Sequence, residues 1–295
     1  MLVSGHVFAM SVVARLSSVA EERATAKRLL LSIVRRLCLD NFMLIDWTGK
    51  PTRWGRWSPA EVNGFRGFSD ERGLQSLQML AFISAARNVS ASAADGQLLD
   101  QAFAELTNRT NQYDASMLNA KIEAPGDDNF SDDELTFLPF YTYMTTCSKP
   151  EPKRCAPCLA ALARSFSIAR SERSGLWGAV AAAAGAVPPA ELPLVADDVR
   201  WNLRTWPAEA IEWSVDNSKR LDLVYQRGAN RFGKASTNVI HSRAPLPADE
   251  RSQTRWNSNP WDVAPSGTGK VEADVGAWLL PYWMARYHGL LSAED

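Results

Sequence analysis

The chain has 295 residues and a formal charge of −1 from 32 Lys and Arg against 33 Asp and Glu, enough length for one large domain or two small ones and no basic field to gather nucleic acid or an acidic membrane surface. With 46% apolar and 22% charged residues, and only 17 Gly and 16 Pro, the composition excludes a collagen-like or largely disordered chain. No apolar run reaches the roughly 20 residues of a membrane helix, since the nearest one, residues 176–188, is broken by Gly178, Gly185 and Pro188.

The N-terminal stretch Met1-Leu-Val-Ser-Gly-His-Val-Phe-Ala-Met10 lacks the basic n-region of a signal peptide. From there the dominant periodicity is helical. Phe8, Val12, Leu16 and Val19, then Leu30, Ile33, Val34, Leu37 and Cys38, fall at the i, i+3, i+4, i+7 spacing of a buried helix stripe. The spacing predicts a helical hairpin, with Ser18 and Glu21 as the capping box that starts its second helix. Residues 46–73 break the pattern with Gly49, Pro51, Gly55, Pro59, Gly64 and Gly67, and are expected as one long ordered loop of the kind that more often serves function than connection.

Helical spacing returns at Leu77, Leu80, Ala81 and Ser84 and at Leu99, Ala102, Phe103 and Leu106, a second hairpin. Ser131 and Glu134 precede an aromatic helix from Leu135 to about Thr145, with Pro139 inside it. Leu159, Leu162, Ala163 and Phe166 mark the next helix, and further helices are expected over 175–186, 191–206 and 275–291. Residues 217–269 lose the period under Pro, Gly, Asn and Ser and read as loop with a short hairpin at most. Antiparallel helix pairs with hardly any period-2 signal make an all-α array, expected as a single domain over 1–295.

Four groups of residues carry chemistry. The run Asp46-Trp-Thr-Gly-Lys-Pro-Thr-Arg-Trp-Gly-Arg-Trp57 gathers three indoles, two Arg and a carboxylate; an indole offers a flat apolar face and one N–H, suited to a sugar ring and its hydroxyls. The alternative is that Trp54 and Trp57 plug the loop onto the helices and that Asp46 caps the Gly49 turn. Asp70-Glu71-Arg72 sits at a loop-to-helix junction, where carboxylates either complement the helix N-terminus or point into a pocket as an acid or base. Asn217, Arg220 and Asp222 lie in a polar loop that either binds hydroxyls and supplies a second carboxylate or forms a solvated turn. Trp256, with Tyr282, Arg286 and His288 on the last helix, completes the set; an aromatic stripe such as Tyr282, Trp283 and Tyr287 is more often core.

Other motifs carry less. Cys155-Ala-Pro-Cys158 with Cys147 lacks a nearby fourth zinc ligand, leaving a disulfide between two of the three in an oxidising compartment or free thiols in a reducing one. Gly267-Thr-Gly-Lys270 departs from a phosphate loop at Ala264 and Val271. No metal or organic cofactor is expected. Asn88-Val-Ser90 and Asn108-Arg-Thr110 are glycosylation triplets that matter only in a secreted chain.

Residues 44–59 (Leu-Ile-Asp-Trp-Thr-Gly-Lys-Pro-Thr-Arg-Trp-Gly-Arg-Trp-Ser-Pro), 71–77, 132–135, 217–222, 255–261 and 280–289, together with Gly5-His6, resemble a family of bacterial and eukaryotic-microbial proteins with an α/α-toroid, six-hairpin-glycosidase-like fold. The resemblance spans nearly the whole chain, and its Thr-Arg-Trp-Gly-Arg-Trp and Tyr-Trp-Met-Ala-Arg-Tyr-His runs are the specific ones. It implies a toroid or partial toroid of helix hairpins with long loops at one end, and no particular reaction. Similar proteins carry further sequence before Gly5-His6, so the helices around 8–19 and 275–291 are expected to expose an apolar face.

The leading functional expectation is a carbohydrate-active hydrolase acting on an oligo- or polysaccharide, with Glu71 and Asp222 as its carboxylate pair. Trp54, Trp57 and Trp256 would be sugar platforms, and Arg72, Asn217, Arg220, Tyr282, Arg286 and His288 the remaining substrate contacts. A polysaccharide lyase using Tyr282, Arg286 and His288, or a non-catalytic glycan-binding module, is the alternative.

Overall fold

The computed structural model describes residues 2–64, 71–121, 130–147, 152–207, 219–229, 235–251, 259–263, 270 and 275–295. The all-α class holds: eleven α-helices and four short strands lie among the described residues. The chain divides into two compact units, one of Met1–Ile122 with Leu135–Ser165 and one of Glu123–Glu134 with Phe166–Asp295.

The first unit opens on the expected hairpin, α1 (Leu2–Leu16) packed on α2 (Ala20–Leu39). Ala26, Leu30, Val34 and Leu37 form the buried stripe of α2, one face of a 3.6-residue period. The expected Ser18–Glu21 capping box does not form: the helix begins after Val19, with no side-chain cap. It is Ser17, one residue earlier than Ser18, whose hydroxyl accepts from the Val19 N–H at 3.1 Å and donates to Glu22 at 2.6 Å. At the other end Asn41 and Phe42 take φ of 54° and 58°, the left-handed turn that closes a helix, and the Phe42 N–H returns to the Leu37 carbonyl at 2.7 Å.

The expected 46–73 loop is in large part regular structure. β1 (Met43–Ile45) and β2 (Pro51–Arg56) pair antiparallel, followed by the short helix α3 (Pro59–Gly64). Gly55 permits this hairpin, because a Cβ there would stand 2.5 Å from Leu44 Cβ. Asp46 caps its turn: Oδ1 accepts from the Thr48 N–H at 2.7 Å and the Lys50 N–H at 3.2 Å, while Gly49 supplies the positive φ of 80°.

α4 (Arg72–Val89) is the helix around which this unit is built, touching α1, α2, α3, α5 (Ala93–Thr107) and α6 (Tyr113–Ser116). Every residue from Gly73 to Ile83 is buried, so it has no solvent face along three turns. Gly73 makes that possible, since a Cβ would lie 2.2 Å from the Asn119 carbonyl oxygen. α7 (Ser131–Thr146), which carries Pro139, and α8 (Pro152–Ala169) come next, joined by a Cys147–Cys155 disulfide with Cα atoms 5.9 Å apart. Phe8 and Arg15 of α1 meet the Tyr141 ring at 5.6 Å and 5.9 Å.

In the second unit α9 (Gly175–Ala183) packs on α10 (Leu192–Arg204) and α11 (Gly276–Tyr287). Gly178 lets α10 approach, a Cβ there meeting Val199 and Val195 at 3.0 and 3.2 Å. The region expected as loop holds a longer hairpin than the sequence suggests, β3 (Leu223–Ala229) against β4 (Ala235–Ser242), in register from Leu223 opposite Ser242 to Arg227 opposite Asn238. Exposed apolar side chains occur on both helices expected to show them, with Val13 and Leu16 on α1 and Leu279 and Trp283 on α11, but Phe8 is buried.

Candidate functional site

The expected residues fall into two groups. Trp54, Trp57, Glu71 and Arg72 belong to the first unit, and Arg220, Asp222, Tyr282, Arg286 and His288 to the second. Asn217, Trp256 and Asp70 lie outside the described residues.

In the first unit the site is a stripe on α4. Glu71, Gln75, Gln78 and Phe82 fall at i, i+4, i+7 and i+11 and share one face. Glu71 stands at the N-cap position, yet its side chain makes no capping bond. The carboxylate is half-buried, and its Oε2 accepts from the Gln75 amide at 3.3 Å. Gln75 itself is buried, and its Oε1 has no hydrogen-bond partner among the described residues. Such an amide serves a carboxyl group in either protonation state: Nε2 donates to the carboxylate, and after a reversal Oε1 accepts from the acid. Arg72 points to solvent.

Trp57 closes the stripe, against the expectation that it would offer a platform for a sugar. It is 4% exposed, its Nε1–H donates to Gln78 Oε1 at 2.7 Å, and its ring meets Phe82 edge-on at 5.5 Å. The Tyr113 hydroxyl donates to the Trp57 carbonyl at 2.7 Å, and burial pushes the Tyr113 hydroxyl well above the usual range. Both the face and the N–H of this indole are therefore occupied. Trp54, on β2, is 56% exposed, with the Arg53 guanidinium 4.6 Å from its ring centre; Trp47 on the hairpin turn is exposed as well. A hydrogen bond from the Thr48 hydroxyl holds the Asp46 carboxyl below its ordinary value, so the Asp46 of this loop acts on its own turn.

In the second unit Arg220 forms a bidentate pair with Asp222, at 2.8 Å from Nε to Oδ1 and 2.9 Å from Nη2 to Oδ2, and also binds Glu250. Hydrogen bonding from Arg220 draws the Asp222 carboxyl down to about 2. At neutral pH this group is ionised and donates no proton. On α11, Tyr282 stacks on Trp278 at 4.9 Å with planes 18° apart, and its hydroxyl accepts from Arg286 Nη1 at 3.2 Å. His288 stands at the end of the helix, its ring edge-on to Tyr287 at 4.9 Å. Part of the expected aromatic core stripe is outward-facing: Trp283 and Tyr287 are 61% and 60% exposed.

Gly73, Gln75 and Gln78 were not among the residues singled out from the sequence. The signal for the two glutamines was present, as amides at i+4 and i+7 from a candidate carboxylate on an otherwise apolar helix. A depression of about 680 Å³ at the junction of α4 and α5, lined by Arg87, Ser90, Ser92, Gln97 and Asp100, was likewise unexpected. Among the described residues no three His, Cys, Asp or Glu are grouped to hold a metal ion, and no helix is long and apolar enough to cross a membrane. Comparison with protein-family models, curated proteins and solved structures returns no match.

Proposed function

We propose that this chain is a carbohydrate-active protein of the glycoside-hydrolase kind, with Glu71 as the group that transfers the proton and Trp54 as a sugar-stacking surface. The observation that supports it is the Glu71–Gln75 pair: a half-buried carboxylate at the start of a rigid helix, held by an amide able to serve both of its protonation states. A toroid-like arrangement of the helix hairpins, as the resemblance implies, belongs to the same reading.

Titration with oligosaccharides, followed by product analysis, tests it. Glu71→Gln keeps the shape and is expected to retain binding while lowering turnover about a hundredfold to ten-thousandfold, the usual size of a general acid–base contribution. Unchanged turnover in that variant would remove Glu71 from the chemistry. Unsaturated products would point to a lyase using Tyr282 instead.

A second reading, a glycan-binding module without catalysis, is favoured by Asp222. Its clamp by Arg220, which is shared with Glu250, suits a structural ion pair better than a partner in acid–base chemistry. Saturable binding with no product from any bound sugar would decide for it.

A further inference from the structure

We infer that the chain matures in an oxidising, glycosylating compartment and carries N-linked glycans on Asn88 and Asn108. The inference is independent of the carbohydrate-active reading, and three observations in the first unit support it.

The first is the disulfide. Cys147 and Cys155 are bonded across the junction of α7 and α8, and such bonds persist where glutathione and thioredoxin do not reduce them. The two remaining thiols fit that setting, because neither is an exposed reactive group. Cys158 is fully buried and its thiol is pushed well above its ordinary value; burial pushes the Cys38 thiol up to about 12. Both stay protonated, which protects them from exchange with the bonded pair.

The second is the position of Asn88. Most of α4 has no solvent face, and a glycan anywhere between residues 73 and 83 would prevent folding. Asn88 lies in the last turn, where the helix emerges, and it is exposed. Its triplet partner Ser90 caps the helix end in an extended conformation.

The third is the geometry of Asn108, at the C-terminal end of α5. Its Oδ1 accepts from the Thr110 N–H at 2.8 Å and the Asn111 N–H at 2.9 Å. The carbonyl side of the amide is thereby fixed toward the chain, and the Nδ2 side is left outward on an exposed residue whose triplet partner Thr110 is exposed too. α5 has 15 residues, so at 1.5 Å per residue the two asparagines bracket about 22 Å of helix. The glycan on Asn88 would stand beside the depression at the α4–α5 junction, whose lining includes Arg87 and Ser90.

The modification takes a lipid diphosphate-linked oligosaccharide as donor. The asparagine Nδ2 attacks the anomeric carbon, the bond from that carbon to the phosphate oxygen breaks, the amide loses one proton, and the diphosphate leaves on the lipid. Asn88 is helical in the folded chain, so transfer to it precedes the closing of the last turn of α4.

The test is made on the full chain purified from the cells that produce it. Intact mass is measured before and after peptide-N-glycosidase treatment in heavy-oxygen water, with non-reduced peptide mapping in parallel. The expected result is a mass above that of the polypeptide which falls on treatment, labelled aspartate at positions 88 and 108, and a Cys147–Cys155 cross-linked peptide. Asn88→Gln and Asn108→Gln should each remove one glycan and leave the fold unchanged by circular dichroism. A polypeptide at its sequence mass overturns the glycosylation whether or not the disulfide is present. Label at neither position overturns it also, including the case of label only at Asn129, which lies outside the described residues and is the first residue of the further triplet Asn129-Phe-Ser131. Free thiols at Cys147 and Cys155 in the native protein overturn the compartment.

Discussion

The Trp57 indole donates its N–H to Gln78 Oε1 at 2.7 Å, joining the end of the β1–β2 hairpin to the middle of α4 across 21 residues of chain. Gln78 extends the link, its Nε2 donating to the Leu135 carbonyl at 3.4 Å. Trp57→Phe keeps most of the ring but strands a buried acceptor, so it should cost about 1–3 kcal/mol. Trp57→Ala, which also opens a cavity against Phe82, should cost about 3–5 kcal/mol. Urea unfolding of both variants measures the two values, and a Trp57→Phe variant as stable as the parent would show that the hydrogen bond contributes nothing.

Gly73 should tolerate no side chain. The Cβ of Gly73→Ala would stand 2.2 Å from the Asn119 oxygen and 2.3 Å from its carbonyl carbon, and both are backbone atoms that cannot rotate away. A loss at or above the upper end of the 1–3 kcal/mol range for overpacking is expected, about 3 kcal/mol. If Gly73→Ala melts with the parent protein, α4 does not pack on residues 117–120 as described.

Asp222 sets an acid limit on its part of the fold. Arg220 lowers its carboxyl from 3.8 to about 2, so the folded state holds the ionised form more tightly than the unfolded chain does. The resulting stability is fully present above the ordinary carboxylate value and is lost as pH falls through about 2. The unfolding midpoint of the parent should exceed that of Asp222→Asn by a constant margin at neutral pH. The two curves should converge between pH 3.8 and about 2. A margin that persists at the acid end would assign the effect to packing.

The disulfide closes a short loop, with eight residues of sequence separation, and its entropic contribution is about 2–3 kcal/mol. Cys147→Ser and Cys155→Ser should lower the thermal midpoint equally, and the parent should fall to the same midpoint in excess dithiothreitol. A parent indifferent to reductant would mean that α7 and α8 are held together by packing alone.

These relationships were legible in the sequence to different degrees, for physical reasons. α2 could be read directly, since an exposed face leaves Leu30, Val34 and Leu37 standing out as a stripe. The turn at Asp46 was legible too, because Asx capping and a positive-φ glycine are local matters. β2 was not. Its burial runs exposed, half, exposed, exposed, buried, half, and without alternation a strand of Pro, Thr, Arg, Trp, Gly and Arg looks like a loop. The fate of Trp57 was beyond local reading, because an indole that displays its N–H and one that gives it to a glutamine 21 residues away have the same sequence. For the same reason the clamp of Arg220 on Glu250, 30 residues on, stayed hidden while the nearby Asp222 drew attention.

A helix surrounded on every side also has a fixed phase. One residue inserted into α2 would turn the remainder of that helix by about 100° and leave some of it facing water. The same insertion after Gly73 would rotate each later side chain of α4 into a neighbour shaped for a different one: Gln75 and Gln78 would leave Glu71 and Trp57, and none of α1, α2, α5 or α6 offers an empty side to receive them. The length of the α4 stretch between Glu71 and Phe82, as much as the identity of its residues, is therefore what the first unit depends on.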